Sequence, residues 1–244
     1  IVGGSPLPPE EYEEISARFP NMHLQPSFGM TEMSAAVSFA GWDDPIEKKA
    51  VTVGRLMEDV EGRIVDPESG EVLGPNQRGE IQFRGFNVMQ GYYKRPDKTA
   101  EAFTADGWFR SGDIGYFNDE EELCITGRLK DMIIRGGENI SPMEIEDVIL
   151  RSGMVESVKV VGIPSRFRSE EVAACVIAKN GNVLNMASFY DFLKPRIASY
   201  KIPKYVLSFE EFPMTASGKI DLTEIRQQAI KLTARPNERC FVNA

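Results

Sequence analysis

The sequence has few of the residues that several common kinds of site require. Its 244 residues contain one histidine, His23, and three widely spaced cysteines that form no Cys-x-x-Cys pair. Histidine-rich metal sites are therefore excluded, and a Ser-His-Asp triad would have to use His23. A cysteine zinc site and a disulfide framework are disfavoured. We therefore expect Cys124, Cys175 and Cys240 to be reduced and the chain to be cytoplasmic.

Long apolar runs and a surplus of basic charge are also absent. No stretch approaches the roughly 18 apolar residues of a membrane span, and the first residues do not resemble a signal peptide. Acidic side chains outnumber basic ones by 37 to 28. The net charge of −9 argues against nucleic-acid binding, because a phosphate backbone attracts a basic surface. The composition, 42% hydrophobic and 27% charged, predicts a soluble globular chain of one or two domains.

The first half of the chain predicts a turn, a short helix and a strand, followed by a β-rich segment. Tyr12, Ile15 and Phe19 have the spacing of one helix face, which predicts a helix over residues 10–18. From residue 51 to residue 128, short β-like runs alternate with turn sequences. The predicted strands are residues 62–65, 80–84, 115–117 and 123–126.

The second half predicts alternating helices and strands. Ser141 at the N-cap, Pro142 at the first helical position and Glu144 at the third predict a capping box and a helix that ends before Gly153. Further helices are predicted at 186–193 and 221–232, and strands at 158–163, 171–178 and 206–209. We expect a compact α+β domain over residues 130–232, followed by a tail, 233–244, without a clear signal.

Two common nucleotide-binding motifs do not fit. Lys219 follows Ser217-Gly218, but a Walker A loop needs glycine where Pro213 stands and Ser or Thr where Ile220 stands. No G-x-G-x-x-G sequence follows a predicted strand, so a Rossmann dinucleotide site has no support.

Six glycine-containing clusters place polar side chains beside positions where bare backbone can approach a ligand. They are FGMTE (28–32), GEIQFRG (79–85), WFRSGD (108–113), GRLKD (127–131), RGGEN (135–139) and PMTASGKI (213–220). Each alone is weak evidence, because such sequences are common in turns. In this order and spacing they resemble the C-terminal half of the adenylate-forming superfamily of acyl-CoA synthetases, peptide-synthetase adenylation domains and luciferases. The segments 127–133 and 135–142 are most similar to medium- and long-chain fatty acyl-CoA synthetases.

This resemblance implies an enzyme that converts a carboxylate and ATP to an acyl-adenylate and then transfers the acyl group to the thiol of CoA. It implies three catalytic residues. Lys219 would place a cation beside the reacting carboxylate and α-phosphate, Thr31 would bind phosphate, and Glu32 would bind Mg²⁺. The implied nucleotide-binding residues are Gly3, Gly4, Ser5, Phe28, Gly29, Met30, Thr31, Asp113, Ile125 and Arg128.

The resemblance also implies a mixed fold of α/β and α+β type. Residues 1–129 would be the end of a large N-terminal domain, including a small β-rich subdomain, and the following α+β domain would be mobile. Lys130 would be the hinge about which that domain rotates between the two half-reactions. After the rotation, Arg135, Gly136 and Gly137 would replace Lys219 at the site and bind CoA.

One family feature has no counterpart in the chain. No segment resembles the Ser/Thr/Gly-rich phosphate loop, and the sequence starts at Ile1. We therefore expect an N-terminal part of the enzyme to be missing and this chain alone to be inactive. The expected partners are a carboxylic acid, ATP and CoA. A carrier-protein thiol as acceptor, a non-catalytic ligand-binding fragment, the acyl chain length and a homo-oligomeric state remain open, with a medium-chain fatty acid favoured.

Overall fold

A computed structural model of the chain describes residues 1–4, 9–181, 184–216, 218–234 and 240–242. The chain divides into two compact units, Ile1–Leu129 and Lys130–Ala244. Both combine helices with mainly antiparallel sheets, so the predicted mixed fold class is confirmed. Over the described ranges, no helix is long and apolar enough to cross a membrane.

The first unit is built largely from short antiparallel strands. Its elements, in chain order, are α1 (Pro9–Arg18), β1 (Ser27–Phe28), β2 (Ser38–Phe39), α2 (Ile46–Lys49), β3 (Arg55–Leu56), β4 (Val60–Val65), β5 (Val72–Leu73), β6 (Gly79–Gly85), α3 (Pro96–Ala102), β7 (Phe109–Phe117) and β8 (Leu123–Arg128). Strands β1, β2 and β3 form one sheet. A second sheet has the strand order β5-β4-β6-β7-β8.

The core of the first unit includes one face of β6. Ile81 and Phe83 alternate along this strand, are fully buried, and belong to the same cluster as Met33 from the segment after β1. The neighbouring side chains of Glu80 and Gln82 are polar but also buried. Their burial is tolerated because Gln82 Nε2 donates to the Glu80 carboxylate at 3.0 Å. The five-stranded sheet thus packs against the segment that follows β1.

The two tryptophans of the sequence both lie in the first unit. Trp108 is buried, and the guanidinium groups of Arg63 and Arg84 lie 4.4 and 4.5 Å from its ring centroid. Trp42 is 56% exposed and stacks on His23, with 4.6 Å between the ring centroids. The two indoles therefore have different surroundings, one between protein groups and one facing solvent.

The second unit has helices on both faces of one sheet. Its elements are β9 (Ile133–Arg135), β10 (Glu138–Ile140), α4 (Pro142–Leu150), β11 (Val155–Ser165), β12 (Ser169–Ala178), α5 (Met186–Leu193), β13 (Tyr205–Ser208), α6 (Leu222–Ala234) and β14 (Cys240–Val242). The strand order is β10-β9-β12-β13-β14, and β11 also pairs with β12. The β12–β13 pair is parallel, and the other pairs are antiparallel.

Strand β12 is buried on both faces. Val172, Ala174 and Val176 belong to the cluster that includes α4 and α5 residues. Ala173 and Cys175 belong to the cluster that includes α6 residues. A strand covered on both sides carries a continuous apolar run instead of an alternating one, which explains its strong sequence signal.

Most of the predicted elements are confirmed within a few residues. The helix predicted at 10–18 corresponds to α1, and the one at 186–193 coincides with α5. The predicted strands lie within or overlap β4, β6, β7, β8, β11, β12 and β13. Phe19, predicted on the first helix face, lies after α1 and is 52% exposed. The short strands β2, β3 and β5, the helices α2 and α3 and the β9–β10 hairpin have no counterpart among the predicted elements.

The Ser141 half of the capping box predicted for α4 is wrong, although the helix itself is confirmed. Ser141 is the N-cap residue, but its side chain makes no cap hydrogen bond. The Glu144 carboxylate accepts from Lys201 Nζ at 2.6 and 2.8 Å. A local sequence rule cannot foresee a partner 57 residues away. At α6 the cap is present, because Asp221 Oδ1 accepts from the Glu224 N–H at 3.0 Å.

The prediction of a separate tail from residue 233 is also wrong for its described residues. Thr233 and Ala234 continue α6, and Cys240–Val242 forms β14, which pairs with β13. A strand of three residues is too short for its hydrophobic period to stand out in the sequence.

We expect the three cysteines to be unreactive while the protein is folded. Cys124, Cys175 and Cys240 are free and buried, and burial raises the pKa of each thiol. Because the thiolate is the nucleophile, a raised pKa and burial both slow alkylation and disulfide exchange at pH 8. Titration with Ellman's reagent should give little reaction without denaturant and three equivalents in guanidinium chloride. Rapid reaction of all three thiols in the native protein would contradict this.

Candidate active site

The FGMTE segment leaves β1 and turns back on itself. Phe28 ends β1, and its ring centroid lies 6.1 Å from that of Phe83 in β6. The chain then enters a 3₁₀ turn, Thr31–Met33, and reverses through Ser34 and Ala35, which both have positive φ. The segment thus joins an aromatic ring beside the core to a tight polar turn.

Gly29 is required by this reversal. A Cβ atom at Gly29 would lie 1.8 Å from the carbonyl oxygen of Ala35, closer than any side chain allows. The Met30 carbonyl accepts from the Ala35 N–H at 3.2 Å, which closes the turn. Thr31 is exposed and Glu32 is half-buried on this turn. Both side chains are therefore presented by a compact backbone.

Glu32 is held by a loop far along the chain. Its Oε1 accepts from the Tyr92 hydroxyl at 2.9 Å, and its carbonyl accepts from the Met89 N–H at 2.7 Å. Burial and the contact with Glu32 raise the pKa of Tyr92. Sequence reasoning missed Tyr92, because nothing in its GYYKRP context links it to a residue 60 positions earlier.

Asp113 and Arg128 are opposite each other on β7 and β8. Asp113 is 3% exposed, and its Oδ1 accepts from Arg128 Nε at 2.9 Å. The Arg128 side chain is 57% exposed. Gly112 has φ of 70°, and the Asp113 N–H donates to Ser111 Oγ at 3.0 Å, which fixes the backbone before the carboxylate. The pair offers a buried acceptor and an exposed cation side by side.

The other described residues predicted to bind nucleotide also lie in the first unit. Gly3 approaches β1, since its Cβ would be 3.0 Å from the Ser27 carbonyl oxygen. Gly4 has φ of 86° and open space around it. Ile125 of β8 packs against the same core cluster as Phe28 and Met30. Ser5 lies outside the described residues. The first unit therefore packs Phe28, Met30 and Ile125 against one core cluster, and Gly3 lies beside β1.

In the second unit, the RGGEN cluster forms the β9–β10 hairpin. Arg135 pairs with Glu138, which leaves Gly136 and Gly137 as a two-residue loop. Their φ angles of 62° and 92° are those of a type I′ turn, which favours glycine at both positions. Both glycines are exposed, so the hairpin tip is bare backbone.

Arg135 is largely committed to contacts within the unit. Its side chain is 11% exposed, Nε donates to Glu171 at 2.6 Å, and Nη1 donates to the Tyr200 carbonyl at 2.5 Å. Glu171 also lies 3.6 Å from Lys204 Nζ. Arg135 thus anchors the hairpin to β12. Sequence reasoning missed Glu171 and Tyr200 as its partners, and its predicted contact with CoA stays a prediction.

Lys219 lies in a small closed loop before α6. Its N–H donates to Thr215 Oγ1 at 3.1 Å, and its carbonyl accepts from the Thr215 N–H at 2.6 Å. A bridge between Met214 and Ile220 closes the ends, and Gly218 has φ of 78°. The Lys219 side chain is exposed, and no ion pair reaches it within the described part of the chain. Its amine is thus available for a ligand.

Lys130 lies at the boundary between the two units. It is exposed in a 3₁₀ turn, Leu129–Asp131, and the unit boundary falls between Leu129 and Lys130. An exposed turn with few side-chain contacts is where a backbone rotation costs least. Its role as a hinge stays a prediction.

The residues around Glu32 fit a magnesium ion whose other ligands are phosphate oxygens and water. Across the described residues, no group of three or more His, Cys, Asp or Glu side chains could hold a metal. Glu32 is one hard oxygen donor, and Tyr92 occupies only its Oε1. Mg²⁺ is commonly bound by one or two carboxylates together with phosphate oxygens and water, and this donor set suits that arrangement.

Two family models match the chain, one in each unit. The model of AMP-binding enzymes matches residues 1–93, and the model of the AMP-binding enzyme C-terminal domain matches residues 144–219. The first range contains the FGMTE segment, and the second contains the Lys219 loop. The chain therefore belongs to the AMP-binding, adenylate-forming enzyme family, and the resemblance found in the sequence is confirmed.

The curated relatives of this chain include acyl-CoA ligases. The mitochondrial medium-chain acyl-CoA ligase ACSF2 of Mus musculus is 41% identical over 229 residues, 93% of this chain and 37% of that protein. The ACSF2 ligase of Danio rerio is 37% identical over 232 residues, 95% of this chain and 38% of that protein. The chain thus spans well under half the length of these relatives.

Solved structures have the same fold. ATP-bound MatB from Rhodopseudomonas palustris has a TM-score of 0.86 at 30% identity, covering 94% of this chain and 45% of MatB. The o-succinylbenzoate CoA synthetase MenE of Bacillus subtilis, in complex with an acyl-adenylate intermediate, has a TM-score of 0.82 at 28% identity. That match covers 98% of this chain and 46% of MenE.

Proposed function

We propose that this chain is the C-terminal part of an AMP-forming acyl-CoA ligase. The observation that carries the proposal is the buried Asp113 carboxylate beside the exposed Arg128, on the same sheet that packs against the FGMTE segment. This arrangement suits the ribose of a nucleotide, whose hydroxyls would donate to Asp113, with Arg128 as a second ribose contact. The identity to acyl-CoA ligases over nearly the whole chain supports the same reaction class.

In the first half-reaction, a carboxylate oxygen attacks the α-phosphorus of ATP and pyrophosphate leaves. Phe28 would lie against the adenine ring, Asp113 would accept from the ribose hydroxyls, and Thr31 would donate to a phosphate oxygen. Gly3, Gly4 and Ser5 would line the adenine and acyl side. Each role follows from the chemistry of the side chain or, for the glycines, from the lack of one.

Glu32 would bind Mg²⁺, which supplies positive charge against the phosphate oxygens when it is bound. Glu32 is suited to this role because its carboxylate is half-buried on a tight turn and has no ion-pair partner among the described residues. Its negative charge is therefore available to a cation.

Lys219 would supply a second cation, at the α-phosphate, where negative charge increases in the transition state. Its exposed amine on a closed loop suits this role. Lys130 would be the hinge of a rotation that exchanges the Lys219 loop for the β9–β10 hairpin.

In the second half-reaction, the CoA thiolate attacks the acyl carbon and AMP leaves. The glycine tip of the β9–β10 hairpin would border the pantetheine arm, because bare backbone at Gly136 and Gly137 leaves room for a narrow chain. Arg135 would act mainly by anchoring this hairpin. A medium-chain fatty acid is the favoured substrate, and a cytoplasmic location stays a prediction.

We predict that this chain alone makes no acyl-adenylate, whereas the complete ligase does. By complete ligase we mean a protein of the relatives' length that contains these residues. The reason is that no segment of the chain resembles the phosphate loop, which would hold the β- and γ-phosphates in the complete ligase. The measurement is fatty-acid-dependent exchange of labelled pyrophosphate into ATP, followed by thioester formation with CoA. Exchange by this chain alone would contradict the first half of the prediction, and none by the complete ligase would contradict the proposed function.

A further inference from the structure

We propose that Tyr92 is a positioning residue that fixes the Glu32 carboxylate for the metal ion of the adenylation step. The inference deepens the proposed function and rests on it. Tyr92 lies outside the clusters that carried the family resemblance.

The contact is direct and is supported from the backbone. The Tyr92 hydroxyl donates to Glu32 Oε1 at 2.9 Å. Three residues before Tyr92, the Met89 N–H donates to the Glu32 carbonyl at 2.7 Å. One loop therefore holds both the main chain and the side chain of Glu32, which limits rotation of the carboxylate.

Tyr92 is itself fixed by the start of α3. Its N–H donates to Thr99 Oγ1 at 2.9 Å, and its carbonyl accepts from the Arg95 N–H at 3.0 Å. The Thr99 hydroxyl donates in turn to the Arg95 carbonyl at 3.0 Å. Gly91 has φ of 148°, and a Cβ there would lie 2.7 Å from Thr99 Cγ2. The path of the chain into Tyr92 therefore requires glycine.

The loop is also docked on the turn that carries Glu32. Asn87 Nδ2 donates to the carbonyls of Met33 and Ala36 at 3.3 and 3.2 Å. The Ser34 hydroxyl donates to the Asn87 carbonyl at 3.1 Å. Asn87 is 7% exposed, so these bonds are shielded from water. The hydroxyl of Tyr92 is thereby placed relative to Glu32 by contacts on both sides.

A phenol suits this task better than a charged donor. An arginine or lysine at this place would neutralise Glu32 and weaken its attraction for a cation. The neutral hydroxyl orients Oε1 and leaves Oε2 and the negative charge for the metal. Glu32 is only half-buried, so its carboxylate remains reachable from solvent.

The first test compares Tyr92→Phe with Tyr93→Phe in the complete ligase. Tyr93 is 87% exposed and is the matched control. We expect Tyr92→Phe to raise the Mg²⁺ concentration for half-maximal pyrophosphate exchange about tenfold, with a smaller change in rate at saturating Mg²⁺. Tyr93→Phe should change neither. An unchanged Mg²⁺ dependence in Tyr92→Phe, or equal changes in both variants, would overturn the inference.

The second test needs no activity and uses this chain. A double-mutant cycle combines Tyr92→Phe with Glu32→Ala and follows the midpoint of urea unfolding. We expect Tyr92→Phe to lower the midpoint when Glu32 is present and to have little further effect in Glu32→Ala. Equal shifts in both backgrounds would overturn the inference. If the wild-type complete ligase shows no exchange, the proposed function fails, and the cycle still decides whether Tyr92 holds Glu32.

Discussion

Replacing Lys219 with alanine in the complete ligase should slow acyl-adenylate formation by about 10²–10³-fold, a typical loss when one preorganised charge is removed from a transition state. Thioester formation from supplied acyl-adenylate should keep its rate. The amine would stabilise charge at the α-phosphate only while that phosphorus is attacked. The second half-reaction breaks a different bond and would use the β9–β10 hairpin instead.

The structure indicates that Lys219→Ala removes the amine without disturbing the loop. The Lys219 side chain is exposed, and the loop is closed by its backbone bonds to Thr215, which alanine retains. Folding of the second unit should therefore be unaffected. Loss of activity would report on chemistry and not on stability.

Two variants serve as controls for Lys219→Ala. Lys231 is an exposed lysine of α6 in the same unit, and Lys231→Ala should leave both half-reactions unchanged. Lys219→Arg keeps the charge but changes its reach and geometry, and should recover part of the adenylation rate. The two steps are measured separately, by pyrophosphate exchange and by CoA-dependent consumption of synthetic acyl-adenylate. Equal slowing of both steps in Lys219→Ala would refute the assigned role.

Gly29→Ala should destabilise the first unit by about 3 kcal/mol, the upper range for forcing atoms into a packed site. The new Cβ would lie 1.8 Å from the Ala35 carbonyl oxygen and 2.6 Å from the Ala36 Cα, both backbone atoms that cannot swing away. The turn Thr31–Met33 would have to open, which would displace Thr31 and Glu32. We therefore expect nucleotide binding to fall together with stability.

The matched control for this variant is Gly74→Ala. A Cβ at Gly74 would meet only Gln77 Oε1, at 3.5 Å, which is ordinary contact. Urea unfolding followed by circular dichroism should give a change within about 0.5 kcal/mol for the control, as for most surface substitutions. If Gly29→Ala were as stable as Gly74→Ala, the tight reversal after Phe28 would be disproved.

The sequence predicts the long elements well because their signals are local. Strand β12 carries an unbroken apolar run, and α5 has apolar positions at helical spacing before Pro195. Strands of two or three residues, such as β5 and β14, contain too little pattern to be detected. Their existence depends on partners elsewhere in the chain, as β14 depends on β13.

The candidate site follows the same division. The six clusters identify the candidate site residues, and the resemblance assigns roles to them. What no local pattern predicts is a long-range partner. Tyr92 reaches Glu32 from 60 residues away, and Arg135 is held by Glu171 from 36 residues away. Such contacts depend on how sheets and loops stack, which the spacing of residues along the chain does not encode.

Because Trp42 and Trp108 both lie in the first unit, intrinsic tryptophan fluorescence reports on that unit. Residues 130–244 contain no tryptophan, so indole emission comes from the first unit alone. Buried Trp108 should emit at shorter wavelength than exposed Trp42, and unfolding of the first unit should shift its band to the red. Circular dichroism of the backbone would follow the unfolding of both units. Comparing the two signals in one titration would separate the stabilities of the two units without any label.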